Sequence, residues 1–187
     1  MAPDLPADDE SAGLRTYADT VVDAVGERTG LVVVGHSLGG FTAPLVCDRV
    51  PAKMLVLLAA MIPSPGEAPN DWWANSGYER EARHDDDVIA ILYHDVPADL
   101  AAEALRRERA HPSARAMQEP WPLKAWPNVP TRFLLCRDDR FFPASFLRRL
   151  ARERLGIAAD EIEGGHCVYL SRPDDLAERL DGYLTRS

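Results

Sequence analysis

Ten consecutive residues, Leu31-Val32-Val33-Val34-Gly35-His36-Ser37-Leu38-Gly39-Gly40, constrain this chain more than any other stretch. Four apolar residues without polar alternation read as a parallel strand buried on both faces. They run into Gly-x-Ser-x-Gly, a sharp turn that carries a serine at its apex and opens into a helix. A serine held there has strained backbone dihedrals, and side chains on its neighbours would collide with strand or helix. Gly35 and Gly39 are expected to remove those side chains, and Gly40 to let the helix approach closely. With strand, turn and helix in register, Ser37 is a candidate nucleophile rather than one more serine in a glycine-rich loop.

The 187 residues suffice for one well-buried domain and are few for two. The 21 basic and 30 acidic residues leave a net charge of -9, which argues against nucleic acid or an anionic membrane as partner, since both demand a basic surface. The longest apolar run, Met54 to Ile62, is too short to span a bilayer and ends at Pro63. No basic stretch followed by an apolar one opens the chain. Cys47, Cys136 and Cys167 are scattered and lack metal-ligand spacing, so they read as small hydrophobes in a reducing, cytoplasmic compartment.

After an acidic, turn-rich entry, Leu14, Tyr17, Ala18, Val21, Val22 and Val25 recur at helical spacing, and Gly30 closes that element. A helix is expected from Leu38 to about Val50, kinked at Pro44. Met54–Ala59 and Thr131–Cys136 read as buried strands, with Arg132 at an exposed start. Ala144–Leu155 reads as an amphipathic helix stopped by Gly156, followed by a short strand near Asp160–Glu163. The last helix is expected to start at Ser171, in capping-box spacing with Asp174, with Pro173 in its first turn and Leu176, Leu180 and Leu184 as its buried stripe. Strands alternating with helices imply an α/β fold with a mainly parallel, doubly wound sheet. Residues 62–130 break the rhythm: they hold all four tryptophans, nine of the fifteen prolines and a helix expected over Ala98–Ala110. The expected division is therefore a core half at 1–61, a helical cap insertion at 62–130 and a second core half at 131–187.

A serine hydroxyl needs a base to take its proton, and the base needs a third group to orient it. His166, in Glu163-Gly164-Gly165-His166-Cys167, follows the short fourth strand at the carboxyl end of the sheet, where sites of open α/β folds lie. Arg137-Asp138-Asp139-Arg140 follows the third strand at the same end. Adjacent residues leaving a strand point in opposite directions, so one of the two aspartates faces the histidine. Asp139 is preferred, with Asp138 capping the next helix or facing solvent. His36 is expected to pack rather than to catalyse, and His94 and His111 to have no chemistry. His84 with Asp85, Asp86 and Asp87 reads as a solvated acidic run before it reads as a metal site. The tryptophans suit either a pocket lining or packing of the cap on the core.

Three segments together, Gly35-His36-Ser37-Leu38-Gly39-Gly40, Cys136-Arg137-Asp138-Asp139-Arg140-Phe141-Phe142-Pro143 and Gly165-His166-Cys167-Val168-Tyr169-Leu170-Ser171-Arg172-Pro173, resemble the α/β-hydrolase superfamily. Within it they are similar to the small methylesterase/hydroxynitrile-lyase-like branch and its bacterial relatives. The order Ser37, Asp139, His166 is the order of that superfamily's triad. The resemblance implies Ser37 as nucleophile, Asp139 as acid, His166 as base and the Leu38 amide as an oxyanion donor, with no metal or organic cofactor. In lyase members a lysine follows the catalytic histidine; Cys167 stands there, which argues against lyase chemistry. Members of the family also open with earlier strands and a His-Gly loop that gives a second oxyanion donor, and then a motif similar to Ala2-Pro3-Asp4-Leu5-Pro6. The chain begins at that later motif, and a misplaced start is the favoured explanation. Without a neighbour, Leu31–Val34 would form an open apolar edge available for self-association. The expected function is a carboxylesterase on small apolar esters. The alternatives are a non-hydrolytic enzyme on the same triad, such as a perhydrolase or lyase, and a truncated non-catalytic binding module.

Overall fold

The computed structural model describes residues 1–78, 88–107 and 111–185. In chain order the elements are α1 (Leu14–Val25), β1 (Leu31–His36), α2 (Gly39–Cys47), β2 (Ala52–Leu58), α3 (Pro69–Asn75), α4 (Val88–Leu92), α5 (Ala98–Arg107), α6 (Ala114–Gln118), β3 (Thr131–Cys136), α7 (Ala144–Leu155), β4 (Asp160–Ile162), α8 (Val168–Ser171) and α9 (Pro173–Thr185). The four strands form one parallel sheet in the order β1-β2-β3-β4. Parallel neighbours need crossovers, and α2 and α7 supply two of them.

β2 and β3 are the middle strands, and Met54–Leu58 and Phe133–Cys136 are buried throughout. Each fully buried Leu or Phe contributes roughly 1.5–3 kcal/mol of transfer free energy, so this pair of strands is the main source of cohesion. β1 differs from the expectation of burial on both faces. Leu31, Val32 and Val33 are half-buried and Val34 is 42% exposed, because β2 is the one strand paired with β1 among the described residues.

The helices meet most expectations, with local corrections. α7 ends where Gly156 adopts a left-handed conformation (φ 69°), as its sequence implied. α2 continues past Pro44 and stops at Cys47, three residues before the expected end. The final segment is two helices rather than one. Ser171 closes α8, and its buried hydroxyl has no hydrogen-bond partner among the described residues, so it caps nothing. Leu176 and Tyr183 are the buried positions of α9, while Leu180 and Leu184 are only half-buried. Tyr183, seven residues after Leu176, lies on the same side of α9, and Arg132 of β3 lies over its ring.

Residues 62–130 do not behave as a uniform cap. Trp72, Ala116 and Trp121 belong to the main core, and both indoles donate inward, Trp72 to the Ile62 carbonyl and Trp121 to the Phe41 carbonyl. The buried Glu67–Arg154 pair ties the start of this segment to α7, and Ser113 is bonded to Tyr17 and to the Ala12 carbonyl. The part around α4 and α5 instead forms a separate small cluster in which Val96 and Ala101 pack on Cys167. Cys167 directly follows His166, so this satellite rests on the histidine loop.

Candidate active site

β1 leads into Ser37 at φ 52°, a left-handed conformation that costs energy for any residue with a side chain. The surroundings enforce it. The Ser37 N–H donates to the Leu58 carbonyl (3.3 Å), and its own carbonyl accepts from Gly40 (3.1 Å) and Met61 (2.9 Å). A Cβ on Gly40 would lie 1.8 Å from the Met61 carbonyl oxygen, and one on Gly35 would lie 2.7 Å from both the Ala43 Cβ and the Gly39 oxygen. The expectation for Gly39 is corrected: a Cβ there would meet nothing within 4 Å. It is the Gly39 carbonyl, not its α-carbon, that makes the close approach. Ala59 at the end of β2 shares the strained geometry (φ 40°), a feature no sequence signal announced.

Leu38 precedes α2, and amides in a helix's first turn lack intrahelical acceptors. The Leu38 N–H has none among the described residues. The Ser37 side chain is partly accessible, and its hydroxyl forms no hydrogen bond to a described residue.

The other two candidates are joined directly. His166 Nδ1 and Asp139 Oδ2 are 2.8 Å apart, and both side chains are buried. The second carboxylate oxygen of Asp139 accepts the Phe141 and Phe142 amides at 2.7 and 2.9 Å. An ionised carboxylate only accepts, so opposite one a neutral imidazole carries its proton on Nδ1 and keeps the lone pair on Nε2. Asp138 is exposed and, rather than capping α7, its Oδ2 accepts the Gly164 amide at 3.0 Å. Phe141 and Phe142 meet the His166 ring edge-on, with centroids 5.2 and 5.5 Å away. The Tyr78 hydroxyl fixes Phe141 through its carbonyl.

His36 links the elbow to the histidine loop. Its Nε2 lies 2.9 Å from the His166 carbonyl, and the two rings are 4.6 Å apart. Burial, then the nearby His166, push its pKa down to about 3 against the opposing effect of that hydrogen bond. His36 is therefore neutral at ordinary pH and donates through Nε2–H. Sequence reasoning assigned it packing and missed this bond. It also missed Asp95, whose Oδ2 accepts the Gly165 amide at 2.7 Å, and His94, whose Nε2 lies 2.9 Å from the Asp138 carbonyl. No local pattern marks a residue of one loop as the partner of another loop's backbone.

Cys47, Cys136 and Cys167 are buried and form no disulfide with one another; burial pushes the Cys47 thiol up to about 12 and the Cys136 thiol still further above its ordinary value, so neither of those two competes as a nucleophile. No group of three or more His, Cys, Asp or Glu among the described residues could hold a metal ion. His84, Asp85, Asp86 and Asp87 lie outside the described residues. Among the described residues, no helix is long and apolar enough to cross a membrane.

Comparison with known proteins gives a consistent picture. Residues 1–179 match the model of the alpha/beta hydrolase family. A rice protein (Oryza sativa subsp. indica) named probable esterase PIR7A is 44% identical over 66 residues, an alignment that takes in 32% of this chain and 24% of that protein. Norfluorocurarine synthase 1 of Strychnos nux-vomica is 22% identical over 205 residues, covering 92% of this chain and 77% of that protein. The crystal structure of polyneuridine aldehyde esterase superposes with a TM-score of 0.75 at 17% identity, covering 94% of this chain and 81% of that chain. At that identity the likeness is one of fold.

Proposed function

The chain belongs to the alpha/beta hydrolase family, and from that premise we propose that it is a carboxylester hydrolase working through an acyl-enzyme on Ser37. His166 Nε2 takes the Ser37 proton as the serine oxygen attacks the ester carbonyl carbon. The carbonyl electron pair moves onto its oxygen, where the Leu38 N–H donates to the developing charge. Collapse of the tetrahedral intermediate expels the alcohol, which receives the proton from His166. Water then repeats the sequence in reverse, with the same imidazole as base, and releases the acid. Asp139 keeps the imidazole proton on Nδ1 and stabilises the charged ring without being protonated itself.

The observation that carries this reading is the buried 2.8 Å contact of Asp139 with His166, together with a serine held at positive φ directly after His36, which bonds the His166 carbonyl. The rice relative's name supports an esterase. The substrate class proposed is a small, largely apolar ester. A fluorophosphonate probe, which phosphonylates activated serines, should label the protein at Ser37 and leave Ser37→Ala unlabelled. Persistent labelling of Ser37→Ala at another residue would remove the assignment.

A further inference from the structure

The backbone of the histidine loop is held at three successive residues by side chains from three different parts of the chain. Asp138 accepts the Gly164 N–H at 3.0 Å, Asp95 accepts the Gly165 N–H at 2.7 Å, and His36 bonds the His166 carbonyl at 2.9 Å. Asp138 and His36 sit beside the acid and the nucleophile. Asp95 does not: it lies between α4 and α5, directly before Val96 of the small cluster that packs separately from the main core.

We propose that Asp95 is a positioning residue for His166, so that the α4–α5 region, by docking on the histidine loop, sets the reactivity of the base. The inference rests on the esterase reading above. Three further features support it. A Cβ on Gly165 would lie 2.5 Å from Asp95 Oδ1 and 2.7 Å from His94 Nε2, so glycine is needed for these two side chains to close on the loop. His94 also bonds the Asp138 carbonyl, which couples the same turn to the acid loop. Val96 and Ala101 pack on Cys167, the residue after the histidine. A polar bond and an apolar contact from one turn thus flank His166 on both sides in sequence. The second Asp95 oxygen is buried with no hydrogen-bond partner among the described residues, so the carboxylate is not placed there by a network of its own.

The test is the rate at which an alkyl fluorophosphonate labels Ser37, because labelling reports the serine–histidine pair without depending on which ester is the substrate. Misplacing a catalytic group by about 1 Å costs up to about 100-fold, so Asp95→Ala should label about 10- to 100-fold more slowly than the unaltered protein. Asp95→Asn keeps an oxygen acceptor for Gly165 and should stay within about threefold of it. Asp95→Ser, one bond too short to reach Gly165, carries the same expectation as alanine and serves where the alanine variant does not fold. Labelling of Asp95→Ala or Asp95→Ser at the unaltered rate would overturn the inference while leaving the esterase reading intact. Equal slowing of Asp95→Ala and Asp95→Asn would overturn the hydrogen bond as its cause. Failure of the esterase reading has a different signature, the absence of Ser37 labelling in the unaltered protein.

Discussion

The proposed nucleophile and the proposed base of this site are held in place by opposite means. Ser37 is positioned by main chain alone: a strained φ, three backbone hydrogen bonds, and glycines that admit a helix against a strand. No side chain bonds its hydroxyl among the described residues. His166 is positioned by side chains: Asp139 on its ring, His36 on its carbonyl, Asp138 and Asp95 on the amides of the two glycines before it, and two phenylalanines packed edge-on with its ring. Steric control tolerates almost no change in atoms but leaves the hydroxyl free to meet a substrate. Hydrogen-bond control tolerates changes of shape but not of acceptor for donor. Substitutions that exchange one for the other should therefore behave very differently on the two sides.

The largest effect is expected where an acceptor becomes a donor. Asp139→Asn can keep its oxygen on the Phe141 and Phe142 amides, which leaves its NH2 facing His166 Nδ1. The ring must then accept at Nδ1 and carry its proton on Nε2, toward the serine, where no base remains. Ester hydrolysis should fall about 10⁴-fold in kcat with the fold retained. Activity within tenfold of the unaltered protein would show that side-chain acceptors do not control the base.

On the nucleophile side the matching test changes volume. Gly40→Ala drives a Cβ to 1.8 Å from the Met61 carbonyl oxygen, and two pieces of backbone cannot both yield. It should cost about 3 kcal/mol or more, or prevent folding. Gly39→Ala, one residue earlier, meets nothing within 4 Å and should range from neutral to about 1 kcal/mol stabilising, since alanine favours the helix start. Urea midpoints of the pair measure the difference directly. Equal midpoints would mean that the elbow is not under steric control at Gly40.

This division also explains what the sequence disclosed. Control by glycine and strain leaves a compact local pattern, so Ser37 and its turn could be read from ten residues. β3 and α7 were equally legible: Thr131–Cys136 read as a strand with Arg132 at its exposed start, and Gly156 gave the helix its stop. Asp139 and His166 could be proposed because both follow strands that end on one rim. Asp95 could not, because its role is a bond across 70 residues and its own neighbourhood reads as an ordinary turn before α5. The open edge of β1 was legible from the strands missing before it, whereas the split between α8 and α9 escaped for a related reason. Where a helix breaks, and which residues along its apolar stripe the core covers, are settled by tertiary packing rather than by local pattern.

The smallest expected effect joins the two sides, since His36 belongs to the elbow strand yet holds the histidine loop. Its pKa is pushed down to about 3 in the folded protein, against about 6.5 for an exposed histidine. The unfolded chain therefore binds more protons at this position, and stability must rise with pH between those values. The contribution is complete above about pH 6.5 and drains away as the solution is acidified toward pH 3. Glutamine at this position carries an amide nitrogen that can donate to the His166 carbonyl and does not titrate. His36→Gln should thus keep most of its Tm at pH 7.5 and show an acid-induced fall between pH 7 and pH 5 that is about 4–8 °C smaller. Scanning calorimetry of both proteins across that range makes the comparison. Parallel Tm curves would mean that the link from elbow to histidine loop survives protonation, and that the base is fastened to the nucleophile's side by something other than this neutral donor.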